Sequence, residues 1–151
     1  DNDNYGWLDS AKVNQNDLRV QGWQAPNQAT DTPYRYVIAV DQTNGQELGR
    51  IKVTQNQGRP DIGRVYPRVT NAAESGYQAT MTNLHWDKVG DVNDQIKIVS
   101  RYTNDSQNGE GQHVDYWSAQ PVQLDKNNYG YLDKFTINNN RINVAGWNAT
   151  N

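Results

Sequence analysis

Residues 34–53 read YRYVIAVDQTNGQELGRIKV, two alternating runs on either side of an Asn44-Gly45 pair. Successive side chains of a strand point to opposite faces. Tyr34, Tyr36, Ile38 and Val40 therefore share one face, and Val37 and Ala39 lie on the other. A strand that is apolar on both faces belongs in the middle of a sheet. Asn44 and Gly45 both tolerate positive φ, which a tight hairpin turn requires. The returning run sets Gly49, Ile51 and Val53 on one side and Arg50 and Lys52 on the other. The same period recurs in Leu18/Val20/Gly22, Tyr77/Ala79/Met81 and Ile96/Ile98/Ser100/Tyr102, then over Val114 to Ala119 and briefly near Val122 to Leu124. Asn, Gly, Asp and Pro clusters separate these pieces. About seven to eight short strands so spaced predict an all-β fold, an immunoglobulin-like antiparallel sandwich. One short helical turn interrupts it: Pro60 suits the first turn, Asp61 its favourable negative end, and Pro67 stops it.

A second signal sets the domain organisation. Asn4–Asn27 (NYGWLDSAKVNQNDLRVQGWQAPN) and Asn128–Asn151 (NYGYLDKFTINNNRINVAGWNATN) align without a gap at an offset of 124 residues and are identical at 12 of 24 positions. Mismatches such as Trp7 with Tyr131 and Val13 with Ile137 are conservative. A fixed long period marks a tandem module. Residues 1–126 are expected to form one complete sandwich and 127–151 the first hairpin of a following repeat. A lone hairpin is marginal, so residues 128–151 should pack on an adjacent repeat or enter strand-swapped self-association.

Composition narrows the function classes. Hydrophobic residues make up 34% of the chain and charged ones 21%, with Asn and Gln filling the difference, so the core is thin and the surface polar rather than highly charged. A net charge of −3 argues against nucleic acid, whose binding needs a basic surface. The longest apolar run, Val37 to Val40, is far short of the roughly 20 residues a membrane span takes, so no membrane insertion is expected. No cysteine is present, which removes disulfides and thiolate chemistry. His85 and His113 have no Ser-His-Asp pattern around them, and the chain is not expected to be an enzyme or to hold a cofactor. Gly90-Asp91-Val92-Asn93-Asp94 has oxygen ligands but lacks the length and terminal Glu of an EF-hand loop, so a solvated turn is expected there and no metal.

Three short motifs lie between the repeated ends. Arg59-Pro60-Asp61-Ile62 is followed after twelve residues by Ser75-Gly76-Tyr77, and after twenty-three more by Arg101-Tyr102-Thr103. This pattern resembles the RDV repeats in the N-terminal regions of lactobacillus glucansucrases, with similar modules in cell-wall-associated proteins. The departures are Ile62 for Val, Tyr77 for Phe and Thr103 for Ser. The resemblance implies a secreted, extracellular or cell-surface protein in which the module is accessory to an enzyme. Physically these residues read as scaffold. Ile62 can face the core, Gly76 permits a tight approach to the strand led by Tyr77, and Asp61 could pair with Arg101 to tie the turn to a strand.

The best compositional case for function is sugar binding. Sugars offer hydroxyls that suit amides and carboxylates, and ring faces that stack on Trp or Tyr. Trp23 shares strand parity with Arg19 and Gln21, which directs it outward; a bulge at Gly22 would instead turn it in. The segment Tyr102–Trp117 holds a long polar connection and ends in His113, Val114, Asp115, Tyr116 and Trp117. Tyr116 and Trp117 must point to opposite faces, and His113, Asp115 and Trp117 would share one that could hold a sugar. The plainer alternative is a loose loop and an aromatic pair that seals the sandwich. Trp86 is expected to cover a core edge. The expected function is non-catalytic binding of a polysaccharide, α-glucan first and a cell-wall polymer (peptidoglycan or teichoic acid) second. The third reading is a spacer that binds nothing.

Overall fold

The computed structural model describes residues 3–27 and 31–122. The second hairpin copy at 128–151 and the module boundary at 126/127 lie outside the described residues. Among the described residues seven strands form two antiparallel sheets: β1 (Asn4–Asn14), β2 (Asp17–Pro26), β3 (Tyr34–Asp41), β4 (Gln46–Val53), β5 (Gly76–Met81), β6 (Ile96–Thr103) and β7 (His113–Trp117). One sheet has the order β1-β2-β5 and the other β4-β3-β6-β7. The fold is the all-β, immunoglobulin-like sandwich that the strand spacing predicts, with the fourth strand paired to the third.

The local chemistry follows the sequence closely. β3 lies between β4 and β6, as its two apolar faces require. Gly45 has φ of 78°, and the turn is fixed by the Asp41 carboxylate, which accepts from the Thr43 and Asn44 amides. The helix α1 (Pro60–Val65) has Pro in its first turn and ends at Tyr66, one residue before Pro67. It sits in the long connection that carries the chain from β4 in one sheet to β5 in the other.

The main core lies between the sheets. Leu18, Val20, Val37, Ala39, Met81 and Ile98 meet there, joined by Trp86, which is fully buried and donates its indole N–H to Asn16 O at 2.9 Å. One buried amide ties the sheets together. Gln24 accepts from Ser100 Oγ at 2.7 Å through its side-chain oxygen and from Tyr102 Oη at 3.1 Å through its carbonyl. Its amide nitrogen donates to Asn4 Oδ1 at 3.0 Å. Such satisfaction is what a buried polar group needs to avoid a net cost.

The sandwich is closed unequally on its two long sides. On the side of β1 and β7, the Tyr116 ring lies against Gly6; a Cβ there would sit 2.7 Å from the ring, so only glycine admits this contact. On the side of β4 and β5, Gln57, just past the end of β4, and Gly76, at the start of β5, exchange backbone hydrogen bonds of 2.9 and 3.0 Å. Past that bridge the two edges leave an open groove of about 470 Å³. Among the described residues no helix is long and apolar enough to cross a membrane.

Candidate functional site

Strand parity carries β7's alternate residues onto the outer face of the four-stranded sheet. There His113, Asp115 and Trp117 lie opposite Thr103, Arg101 and Val99 of β6. Trp117 is 44% exposed. Beside it runs a chain of ion pairs across the sheet. Arg101 grips Asp115 in a bidentate pair, Nε to Oδ1 at 2.8 Å and Nη2 to Oδ2 at 2.9 Å. Its Nη1 donates to Glu110 at 3.0 Å, and Arg50 reaches the same Glu110 oxygen at 2.6 Å while also pairing with Glu47. The Arg50 guanidinium holds the Glu110 carboxyl below the usual carboxylate range. Asp115 pushes Arg101 up.

His113 donates from Nδ1 to Gly111 O at 2.7 Å, since a carbonyl can only accept. In the neutral ring this leaves Nε2 as an acceptor, 3.8 Å from Asp115 Oδ2.

The polar connection between β6 and β7 is not loose. It folds back over the outer face, where Ser106 O accepts from Tyr36 Oη (3.0 Å) and Lys52 Nζ (2.9 Å). Asn108 O accepts from Arg50 (2.8 Å), and Gly109 O from Arg101 (2.9 Å). Gly109 has φ of 80° and presses on the Tyr36 ring, where a Cβ would come within 2.9 Å. This covers Tyr36, Ile38 and Val99, which form a small outer apolar cluster. Trp117 thus stands beside an ordered, polar ridge.

The other candidates fall elsewhere. Tyr116 points inward and is half-buried against Gly6, so it takes the opposite face from Trp117 as alternation demands. Trp23 keeps its outward parity, but α1 and the turn after it cross that face. The indole is 9% exposed, packed with Ile62, Val69 and Ala72, and tilted against Tyr66 at 6.0 Å. The irregularity in this hairpin lies in β1, between Leu8 and Ser10, and not at Gly22. The structure brings together His113, Asp115 and Trp117 and separates them from Trp23 and Tyr116.

Ile62 is buried with Trp23, and Gly76 is a close-approach position: a Cβ there would meet Gln57 O at 2.8 Å. The pairing of Asp61 with Arg101 is corrected. Asp61 binds Arg59 through both oxygens at 3.1 and 2.9 Å, and Arg59 also reaches Asp9 at 2.9 Å. Arg101 lies on the outer face of the four-stranded sheet, whereas α1 packs on the outer face of the other sheet. The body of the sandwich stands between them.

Ser75, Gly76, Tyr77 and Tyr102 instead converge on a residue the motif reading passed over. Arg35 is 2% exposed, its guanidinium 4.4 Å from the Tyr102 ring centroid and 5.5 Å from that of Tyr77. It donates to Ser75 O (3.0 Å), Gly76 O (3.1 Å) and Asn56 Oδ1 (2.9 Å). No carboxylate is among these partners, and burial lowers its pKa. Its parity with Val37 and Ala39 was the available signal, since it placed a cation on the core face.

Trp7 was also passed over. It is 46% exposed on the outer face of the three-stranded sheet, in register with Trp23. Tyr5, two residues along the same face, stacks on Tyr66 at 4.1 Å. The aromatic kept at this place in both copies, Trp7 and Tyr131, could have pointed to it.

The 90–94 turn spends its carboxylates on its own backbone. Asp94 accepts from the Gly90 and Asp91 amides, and Asp91 from that of Asn93. Among the described residues no three His, Cys, Asp or Glu side chains are placed to hold a metal. The chain matches no protein-family model, no curated protein and no solved structure.

Proposed function

We propose that this module is a non-catalytic carbohydrate-binding unit of a secreted or cell-surface bacterial protein of the RDV-repeat type, and that its ligand is an α-glucan. The observation that carries the reading is the half-exposed Trp117 indole beside the ordered Asp115–Arg101–Glu110 ridge. The indole offers a flat apolar face to a sugar ring. The ridge and His113 offer fixed acceptors and donors to its hydroxyls. The arginines and carboxylates of this ridge are already paired with one another, which favours a neutral polymer over an anionic one such as teichoic acid. The repeated hairpin sequence fits a tandem array, in which weak single contacts sum to useful avidity.

The test is retention of the chain on insoluble α-glucan and on lactobacillus cell walls, each at low and high salt. Retention on glucan at both salt levels, lost in Trp117→Ala, is the expected result. Retention on walls alone moves the ligand to a cell-wall polymer. Retention on neither, even for several repeats in a row, favours a spacer.

A further inference from the structure

The groove between the free edges of β4 and β5 differs in chemistry from the Trp117 face. Its floor is apolar, formed by Ile51, Val53 and Ala79. Its walls are uncharged hydrogen-bonding side chains: Thr54, Gln55, Asn56, Gln57, Gln78 and Thr80. No carboxylate lines it. Lys52, the charged residue of its lining, is drawn off to Ser106 O at 2.9 Å and over the Tyr34 ring at 5.1 Å. At about 470 Å³ the groove lies within the usual size of a ligand site, about 300–1,000 Å³.

Two features make the walls ordered. Asn56 has its side-chain oxygen held at 2.9 Å by the buried Arg35, which fixes the amide and leaves Nδ2 to donate outward. A hydrogen bond from a cation polarises the amide and strengthens that outward donor. At the mouth, the Gln78 side-chain oxygen accepts from Arg19 Nε at 3.2 Å and Nη2 at 2.6 Å, which fixes this amide and turns its nitrogen toward the Gln57 amide at 3.2 Å.

We propose that this groove is a second binding site, for a short neutral oligosaccharide held by amides over an apolar floor. Vicinal hydroxyls both donate and accept, and an amide answers both from one planar group. The C–H faces of the sugar would lie on Ile51, Val53 and Ala79. An extended peptide fits less well. Leu48 O on β4 already accepts from the His85 amide and Gly76 on β5 is held by Gln57, so the edge stretches left to pair with an added strand are short. The site uses no aromatic side chain and does not depend on Trp117.

The experiment is a titration of the ¹⁵N-labelled full chain with maltotriose and with isomaltotriose, following side-chain and backbone amides. The expected result is a common saturating shift of the Asn56, Gln57 and Gln78 side-chain amides. The double variant Gln57→Ala/Gln78→Ala should weaken it at least about tenfold, a loss of roughly 1.4 kcal/mol. Both side chains are exposed, so the fold should survive; Thr80→Val is a second surface probe, expected to weaken binding by a smaller factor. Trp117→Ala should leave the groove shifts unchanged. The proposal is overturned if the groove amides do not move with either sugar, or if the double variant binds like the parent. It is also overturned if an extended peptide, and neither sugar, shifts the backbone amides of residues 51–53. Loss of glucan retention in Trp117→Ala with intact groove shifts keeps both sites. Intact retention in that variant removes the Trp117 assignment alone.

Discussion

Replacing Trp23 and Trp117 by alanine, one at a time, separates a packing role from a contact role. Trp23 is 9% exposed and enclosed by Ile62, Val69 and Ala72, whereas Trp117 is 44% exposed on an open face. A side chain of this size buries about 200 Å² when enclosed, worth roughly 5 kcal/mol at about 25 cal/mol per Å². Neighbours relax into part of the space, so Trp23→Ala should cost about 3–5 kcal/mol, the usual range for truncating a core Trp. Trp117 is little more than half covered and leaves no closed cavity, so its loss should cost roughly 2–3 kcal/mol. For a domain of this size about 4 °C of melting temperature goes with each kcal/mol. The expected drops are roughly 12–20 °C for Trp23→Ala and roughly 8–12 °C for Trp117→Ala. Calorimetric melting measures these, and glucan retention is then compared at a temperature where both variants are folded. The two orders should be inverse: Trp23→Ala loses stability and keeps retention, while Trp117→Ala keeps most stability and loses retention. A Trp23→Ala protein that melts within about 3 °C of the parent would refute the argument that α1 encloses this indole.

Gly6→Ala would set a methyl 2.7 Å from the Tyr116 ring and should cost about 1–3 kcal/mol in urea unfolding, with Gly6→Ala/Tyr116→Ala costing less than the sum of the two singles. Asp41 is fully buried, and its carboxyl is raised by that burial first and by the neighbouring Asp94 carboxyl next. A raised folded-state value means that this group's contribution falls as pH rises above the ordinary Asp range, about 3.9. Asp94→Asn should therefore raise the melting temperature near pH 7 and have no such effect near pH 3; an equal gain at both would remove the carboxyl–carboxyl explanation. Glu110 has the opposite sign. Arg50 lowers its carboxyl, so its contribution is present above the ordinary Glu range and is lost as pH falls through the lowered value. Protection factors of the amides in residues 104–112, with the intrinsic pH dependence of exchange divided out, should then fall on acidification, and Glu110→Gln should abolish that fall.

Strand parity, the Asn44-Gly45 turn and the Pro60 start could be read from the chain because each depends on neighbours within a few positions. What parity cannot supply is the identity of whatever crosses a face. Trp23 does point outward with Arg19 and Gln21, but its cover comes from Ile62, Val69 and Ala72, far along the chain. The Asp61–Arg101 pairing failed for a related reason. Motif spacing sets sequence distance and says nothing about which side of a two-layer body each residue occupies. The local partner, Arg59, two positions from Asp61, won instead. Likewise the polar run from Asn104 to Gln112 reads as a loose loop only while its anchors Tyr36, Arg50 and Lys52 are unknown to lie beneath it.

The motif residues acquire a shared purpose once the faces are assigned. Arg101 and Tyr102 are adjacent on β6 and so must point to opposite sides of the sheet. Arg101 goes outward, where it orients Asp115 and holds the ridge beside Trp117. Tyr102 goes inward, where its ring covers the Arg35 guanidinium that in turn fixes Asn56 at the groove. Ser75 and Gly76 complete the same cage through their carbonyls, and Gly76 also makes the bridge that closes one end of the groove. A buried cation with no carboxylate partner is a costly element, held only by carbonyls, one amide and two ring faces. Stability alone would be served as well by an apolar side chain of similar volume at position 35. Arg35 does what an apolar residue could not: it draws the 54–57 stretch, β5 and β6 to a single charge and so fixes the groove wall. Residues that read as scaffold in the sequence are, on this view, the part of the fold that sets the geometry of both proposed sites.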